Sequence, residues 1–384
     1  MKKSYLILWT INLLGWFFYS FTQIDLNLTL TRVPFLNSLF KSFQYIGYFQ
    51  RPLSTYLFLF LLFFSLILYL LWLREFKKQG LSRKHFWQLI ILSALLLLFS
   101  YPAFSYDLFN YMFDAKTIIV YHANPWVNKP LDFIGDPWLS FMHWTHRPSV
   151  YPPGWIFLSL PFYVAGFNYF LAILFSFKIL MTLGYLGSVY FLEKILSWQK
   201  NKEKYFHLAV FALNPAILLE SLVSAHNDIV MMFFVILAIW YLSQKKYWFS
   251  FGHLIFSALI KYLGFFLLPL FLWKLRAKKD LTIKDFRIGF LLMTVAFVFI
   301  ISRIEIQPWY LVWLLPLLIL ADLRFLYPIF IALSIGLLLR YAPFLFLGNW
   351  NNPVPVYKLW LTMIPLVLSI LYIFITQKKT WLKK

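Results

Sequence analysis

Residues 53–73, LSTYLFLFLLFFSLILYLLWL, contain no charge at all and end at Arg74. A stretch that long and that apolar exceeds the roughly 18–20 residues needed to span a bilayer, and a water-soluble fold has nowhere to put it. The pattern recurs along the whole chain. Hydrophobic residues make up 62% of it and charged residues only 13%, too few to clothe a soluble domain. The net charge of +21 could suggest nucleic acid. However, the Lys and Arg residues sit in short clusters between apolar runs, which is a topology signal and argues against a nucleic-acid partner. No cysteine occurs, so neither a disulfide framework nor a thiolate metal site is available.

Apolar runs predict helices near 4–22, 53–73, 86–103, 168–192, 206–221, 229–243, 249–260, 263–273, 288–302, 309–321, 325–341 and 358–376. Tyr5–Phe21 follows Met1-Lys2-Lys3 with no small-residue cleavage site, so it is expected to remain as the first helix. Gly154–Gly166 is too short to span and predicts a half-helix at the interface. The short runs 249–260 and 263–273 predict a hairpin around Lys261-Tyr262. The expected fold is therefore all-α, a polytopic transmembrane helical bundle of about 12 helices. A large first external loop, 104–153, carries short interfacial helices, and residues 1–384 form a single transmembrane domain.

Alternate loops collect 24 of the 35 Lys and Arg residues but only six acids, a net +18 against +3 for the other side. Basic loops stay in the cytoplasm, so a multi-pass protein of the cell membrane with both termini cytoplasmic is expected. The opposite, external side holds the polar residues that an apolar chain must explain, since ionisable groups near membrane segments are costly. Asp107, Asn110, Tyr111 and Asp114 would share one face of a helix. The same loop continues through His122, Asn124-Pro125-Trp126, Asp132, Asp136, His143, His146-Arg147 and Tyr151-Pro152-Pro153. Pro and Trp there serve to shape and anchor the loop, whereas Arg147 suits an anionic group. A second group is Asn214-Pro215, Glu220-Ser221 and His226-Asn227-Asp228, where capping of the next helix explains part of the pattern. A third is cationic: Lys261, Arg303 and Arg340, with snorkelling to headgroups the simplest reading for Arg340. No phosphate-binding glycine loop, zinc-protease motif or nucleophile elbow occurs.

The succession Tyr106-Asp107-Leu108-Phe109-Asn110-Tyr111, Asn124-Pro125-Trp126 and Tyr151-Pro152-Pro153-Gly154 resembles the first external loop of C-type membrane glycosyltransferases. Leu213-Asn214-Pro215 with His226-Asn227-Asp228, Ser257–Tyr262 and Pro308–Trp313 resemble their polyprenyl-phosphate-sugar-dependent, mannosyltransferase-like branch. The resemblance implies transfer of a hexose, mannose by analogy, from a polyprenyl-phosphate carrier to a glycan or glycolipid acceptor on the external face. It implies Asp107 as the catalytic base. It also implies substrate contacts from Tyr106, Tyr111, Asp114, His146, Arg147, Tyr151, His226, Asn227, Asp228, Lys261 and Arg303. No cofactor is implied with certainty. Some relatives use a divalent ion, but no adjacent acids or tight Asp-x-Asp stand near Asp107. The alternative is a multi-pass transporter or lipid or glycolipid flippase, for which Pro215 and the short hairpin would be broken helices at a carrier site.

Overall fold

A computed structural model describes residues 3–79 and 81–381, with side chains assigned outside 79 and 376–381. The basic residues Lys2, Lys383 and Lys384 counted above lie outside the described residues.

The described residues are helical, with no strand among them. Helix α1 is Lys3–Ser20, α2 Pro34–Tyr48, α3 Arg51–Gln79 and α4 Arg83–Leu98. After them come α5 (Asp107–Ile119), α6 (Pro153–Val164) and α7 (Phe170–Trp198). The chain continues through α8 (Lys204–Ala212), α9 (Pro215–Leu218), α10 (Asp228–Ser243), α11 (Tyr247–Ile260), α12 (Leu268–Ala277) and α13 (Ile283–Ile301). It ends with α14 (Leu311–Leu320), α15 (Tyr327–Leu339), α16 (Tyr341–Leu347) and α17 (Val354–Trp381).

Among the described residues, five helices are long and apolar enough to cross a membrane, or six if the bent pair at 204–223 counts as one span. Shorter apolar helices, among them α6, α10 and α11, pack around them. Such runs have no water to satisfy their backbone, so each closes its own hydrogen bonds as a helix. The large apolar side chains of α17 point outward, Leu359, Trp360, Leu368 and Phe374 among them. A soluble monomer would not expose such a surface, and a bilayer would cover it.

Two elements differ from the sequence expectation. The segment before Arg51, where no apolar run predicts a helix, contains helix α2, whose Ser, Gln and Lys residues dilute an otherwise amphipathic run. Arg340 does not snorkel. It is buried, ion-paired with Glu305, and donates to the Thr362 hydroxyl at 3.1 Å.

Ion pairs join several of the basic connections. Arg83 pairs with Glu193 at 2.8 Å, Lys245 with Asp280 at 2.9 Å, and Arg324 with Glu203 and Asp322. The last of these pairs borders a hollow of about 750 Å³ lined by Lys202, Glu203, Thr282 and Arg324. The starts of α5, α10, α14 and α16 meet at a different place, described next.

Candidate active site

Three breaks in helices build the site. Asn214 accepts the Ala216 N–H at 2.9 Å while Pro215 occupies the first helical position, so the chain stops after α8 and restarts bent by 55°. Helix α9 then widens at 219–223, where the Ser224 N–H reaches back to the Leu219 carbonyl at 2.7 Å. Such wide turns recur at functional sites because they displace side chains from the regular helical track. Finally, α11 stops at Lys261, whose backbone is extended.

Lys178, fully buried inside α7, secures the wide turn. Its ammonium donates to the Ser100 hydroxyl at 2.9 Å, to the Val223 carbonyl at 3.1 Å and to the Leu222 carbonyl, so its three protons have three acceptors.

The turn presents Glu220 and His226 to Asp107, the first residue of α5. His226 Nδ1 lies 3.5 Å from Asp107 Oδ2, and its Nε2 lies 3.4 Å from Glu220 Oε2. The imidazole stacks on Trp309, ring centres 3.9 Å apart at 22°. Tyr341 donates to the other oxygen of Glu220 at 3.0 Å. Glu220 and His226 are buried, whereas the Asp107 side chain keeps 21% of its surface open. Burial pushes the Asp107 carboxyl up, but His226, with Lys261 and Arg147 beyond it, outweighs this and holds it below the ordinary value. Burial pushes the imidazole down, but the two carboxylates outweigh it and raise it to about 9.

Beside this series, the fully buried Asp228 accepts from Lys261 at 2.6 Å and from the Trp313 indole at 2.6 Å. The sequence left Lys261 in need of a counter-charge at the tip of its hairpin; Asp228 supplies it. Lys261 remains a quarter exposed, and its charge is felt at Asp107. Asn227 accepts from the Tyr111 hydroxyl at 3.3 Å, and the Tyr111 ring meets Tyr151 and Trp155 edge-on. Helix α6 reaches this layer because Gly154 lets it lie against α11: a Cβ there would sit 2.7 Å from that of Leu259.

The remaining residues of the expected set divide. Asp114 is buried and accepts from Ser149 at 2.6 Å, which ties the loop to α5, and burial raises its carboxyl to about 7. Tyr106 turns to Asp25, donating at 3.3 Å, and stacks on His143 at 3.6 Å. Arg147 is exposed, lies over the Trp144 ring and borders a small hollow shared with Asn110, Asp114 and Tyr151. His146 is exposed at the edge of Trp144. Arg303 is exposed over Phe299 and forms no ion pair with the cluster among the described residues. The expected set omits Glu220, Lys178, Trp309, Trp313 and Tyr341.

Asp107 and Glu220 meet opposite nitrogens of His226 and do not converge on one point. Among the described residues no group of three or more His, Cys, Asp or Glu has an arrangement fit to hold a metal ion. These residues do not fit a divalent ion.

Compared with known families, residues 27–278 match the alpha-(1→6)-mannopyranosyltransferase N-terminal domain. No curated protein and no solved structure matches. The matched segment contains Asp107, Lys178, Glu220, His226, Asp228 and Lys261.

Proposed function

Because the chain belongs to the alpha-(1→6)-mannopyranosyltransferase family, a C-type mannosyltransferase family, we propose that it moves mannose from a polyprenyl-phosphate carrier to a glycan or glycolipid acceptor. We further propose that it crosses the bilayer about twelve times as one domain, with both termini cytoplasmic and the site external, as its basic loops favour. The observation carrying the reaction is Asp107: a partly open carboxylate, held ionised, beside the cationic Lys261.

In this reading the acceptor hydroxyl gives its proton to Asp107 as its oxygen attacks the anomeric carbon. The bond from that carbon to the carrier phosphate oxygen breaks, and the polyprenyl phosphate leaves. A single displacement inverts the anomeric carbon, so an α product requires a β-linked donor. The leaving phosphate needs little protonation, which is why one carboxylate suffices. Lys261, with Arg147 at the loop edge, stabilises the charge gathering on that phosphate. This reading is supported by where they stand, Lys261 closing α11 and Arg147 exposed above Trp144.

Asp107→Asn keeps the shape of the side chain and removes its basicity. Membranes carrying it should insert the protein normally and transfer no labelled mannose from polyprenyl-phosphate mannose. Turnover retained in that variant would refute the assignment. Uptake of the labelled lipid without glycosidic bond formation would favour a carrier.

A further inference from the structure

His226 is more enclosed than a substrate ligand needs to be. Its ring is buried, covered on one face by Trp309, and its backbone N–H is bonded to the Glu220 carbonyl at 3.0 Å. Each ring nitrogen faces a carboxylate oxygen, Asp107 on one side and Glu220 on the other. Neither ring nitrogen has a hydrogen bond, so these are ion-pair contacts; ionised carboxylates only accept, and they attract the ring when both nitrogens carry protons. Glu220 is itself immobilised: Tyr341 fills one oxygen, and the wide turn that carries it is tied to α7 through Lys178. Its remaining oxygen has the imidazole as its neighbour. A fully buried carboxylate so deep in an apolar protein is costly unless a positive charge answers it.

We propose that His226 is a positioning residue: an imidazolium clamp that aims the open face of Asp107 at the acceptor hydroxyl and keeps that carboxylate ionised, with Glu220 as the buried counter-charge that keeps the ring protonated. This rests on Asp107 being the base. It replaces the substrate-contact role that resemblance suggested for His226. The groups facing the ring agree with it. From α5 comes Asp107, and from the wide turn Glu220 with Tyr341 behind it. Asp228 at the start of α10 is neutralised by Lys261, Arg147 stands at the loop edge, and the uncharged Trp309 closes the stack. Arg340, next to Tyr341 in the chain, is occupied by Glu305.

The test is the pH dependence of transfer in His226→Gln and Glu220→Gln, together with nuclear magnetic resonance of the wild-type imidazole nitrogens in nanodiscs. Losing the clamp leaves burial at Asp107 opposed only by Lys261 and Arg147, so the acid limb of kcat should move up by about one pH unit or more in His226→Gln. The donor KM should change less than kcat. In Glu220→Gln the ring should lose its proton at lower pH than in the wild type. A lowered kcat with an unmoved acid limb would make His226 a packing residue and overturn the proposal. A raised donor KM with unchanged kcat would make it a substrate ligand and do the same. Should both variants fail to fold, a wild-type ring that is neutral at pH 7 overturns the clamp, and a doubly protonated one sustains it. Failure of the base reading is separate: it shows as turnover in Asp107→Asn, whatever the ring titration reports.

Discussion

Lys261 has two partners in this account, Asp228 in the resting protein and the carrier phosphate in the reaction, and substitution can separate them. Lys261→Met removes both. Asp228 is then left fully buried with the Trp313 indole as its remaining donor. Breaking a buried pair by removing one member costs about 3–5 kcal/mol, because the other charge stays behind. Lys261 is a quarter exposed, which places the loss at the lower end of that range. Adding Asp228→Asn to Lys261→Met removes the stranded charge while an amide oxygen still accepts from Trp313. The double variant should therefore recover most of the lost thermal stability, read by fluorescence-detected size exclusion in detergent. Transfer should not recover with it. A hydrogen bond to a charged group contributes about 1.5–3 kcal/mol, so kcat/KM for labelled polyprenyl-phosphate mannose should stay roughly ten- to hundredfold low. If the double variant regains both stability and wild-type transfer, Lys261 is a structural cation only, and its place on the leaving phosphate is refuted.

Asp114 and Asn214 give two further tests. The Asp114 carboxyl is raised by burial to about 7, so the folded protein holds a proton there that the unfolded chain releases near the ordinary carboxylate value. Stability should consequently fall as pH rises from about 4 to about 7, by about 1.4 kcal/mol for each unit of separation, and then level off. Asp114→Asn should flatten this part of the melting-temperature profile and melt higher than the wild type at about pH 8; an unchanged slope refutes it. Asn214 caps α9 and also donates to Ser334 at 2.9 Å. Asn214→Ala should cost about 1–2 kcal/mol from the cap alone. It should also lower kcat more than it raises the donor KM, since the wide turn begins immediately beyond. Kinetics identical to the wild type would disconnect the bend at Pro215 from the site.

The fold was legible wherever one run of side chains meets one solvent. Helices α1, α3, α7 and α17 lie close to their apolar runs because lipid rewards the same residues along the whole segment. Legibility fell where helices shorten or bend. Helix α2 has enough polar residues to pass for a loop, and the number of crossings cannot be read from hydropathy when α6, α10 and α11 each fall below spanning length. Arg340 was misplaced for a related reason: its answer, Glu305, comes from a segment 35 residues away, and nothing local announces the pair.

At the site, the residues visible in the sequence are those whose polarity contrasts with apolar neighbours near a helix end: Asp107, His226, Asp228 and Lys261. Their grouping follows from helix polarity alone, because the starts of α5 and α10 and the end of α11 must share a side if the chain alternates. Glu220 and Lys178 carry an equally strong signal, a charge inside an apolar run, where the cost is greater than at an end. Glu220 stands out in a group for which capping and function both stay open but is absent from the implied substrate contacts, and Lys178 is hidden in the length of α7. What neither pattern could convey is the widened turn at 219–223, which leaves the Leu222 and Val223 carbonyls for the Lys178 ammonium and brings Glu220 to the far side of the His226 ring. The two interior charges thus answer different halves of one problem. Lys178 satisfies the backbone that the irregular turn exposes, and the turn in turn delivers the carboxylate that holds a proton on the imidazole facing Asp107. A wide turn without the lysine would leave the Leu222 and Val223 carbonyls without its ammonium in an apolar interior, and a lysine without the turn would keep only the Ser100 hydroxyl as acceptor.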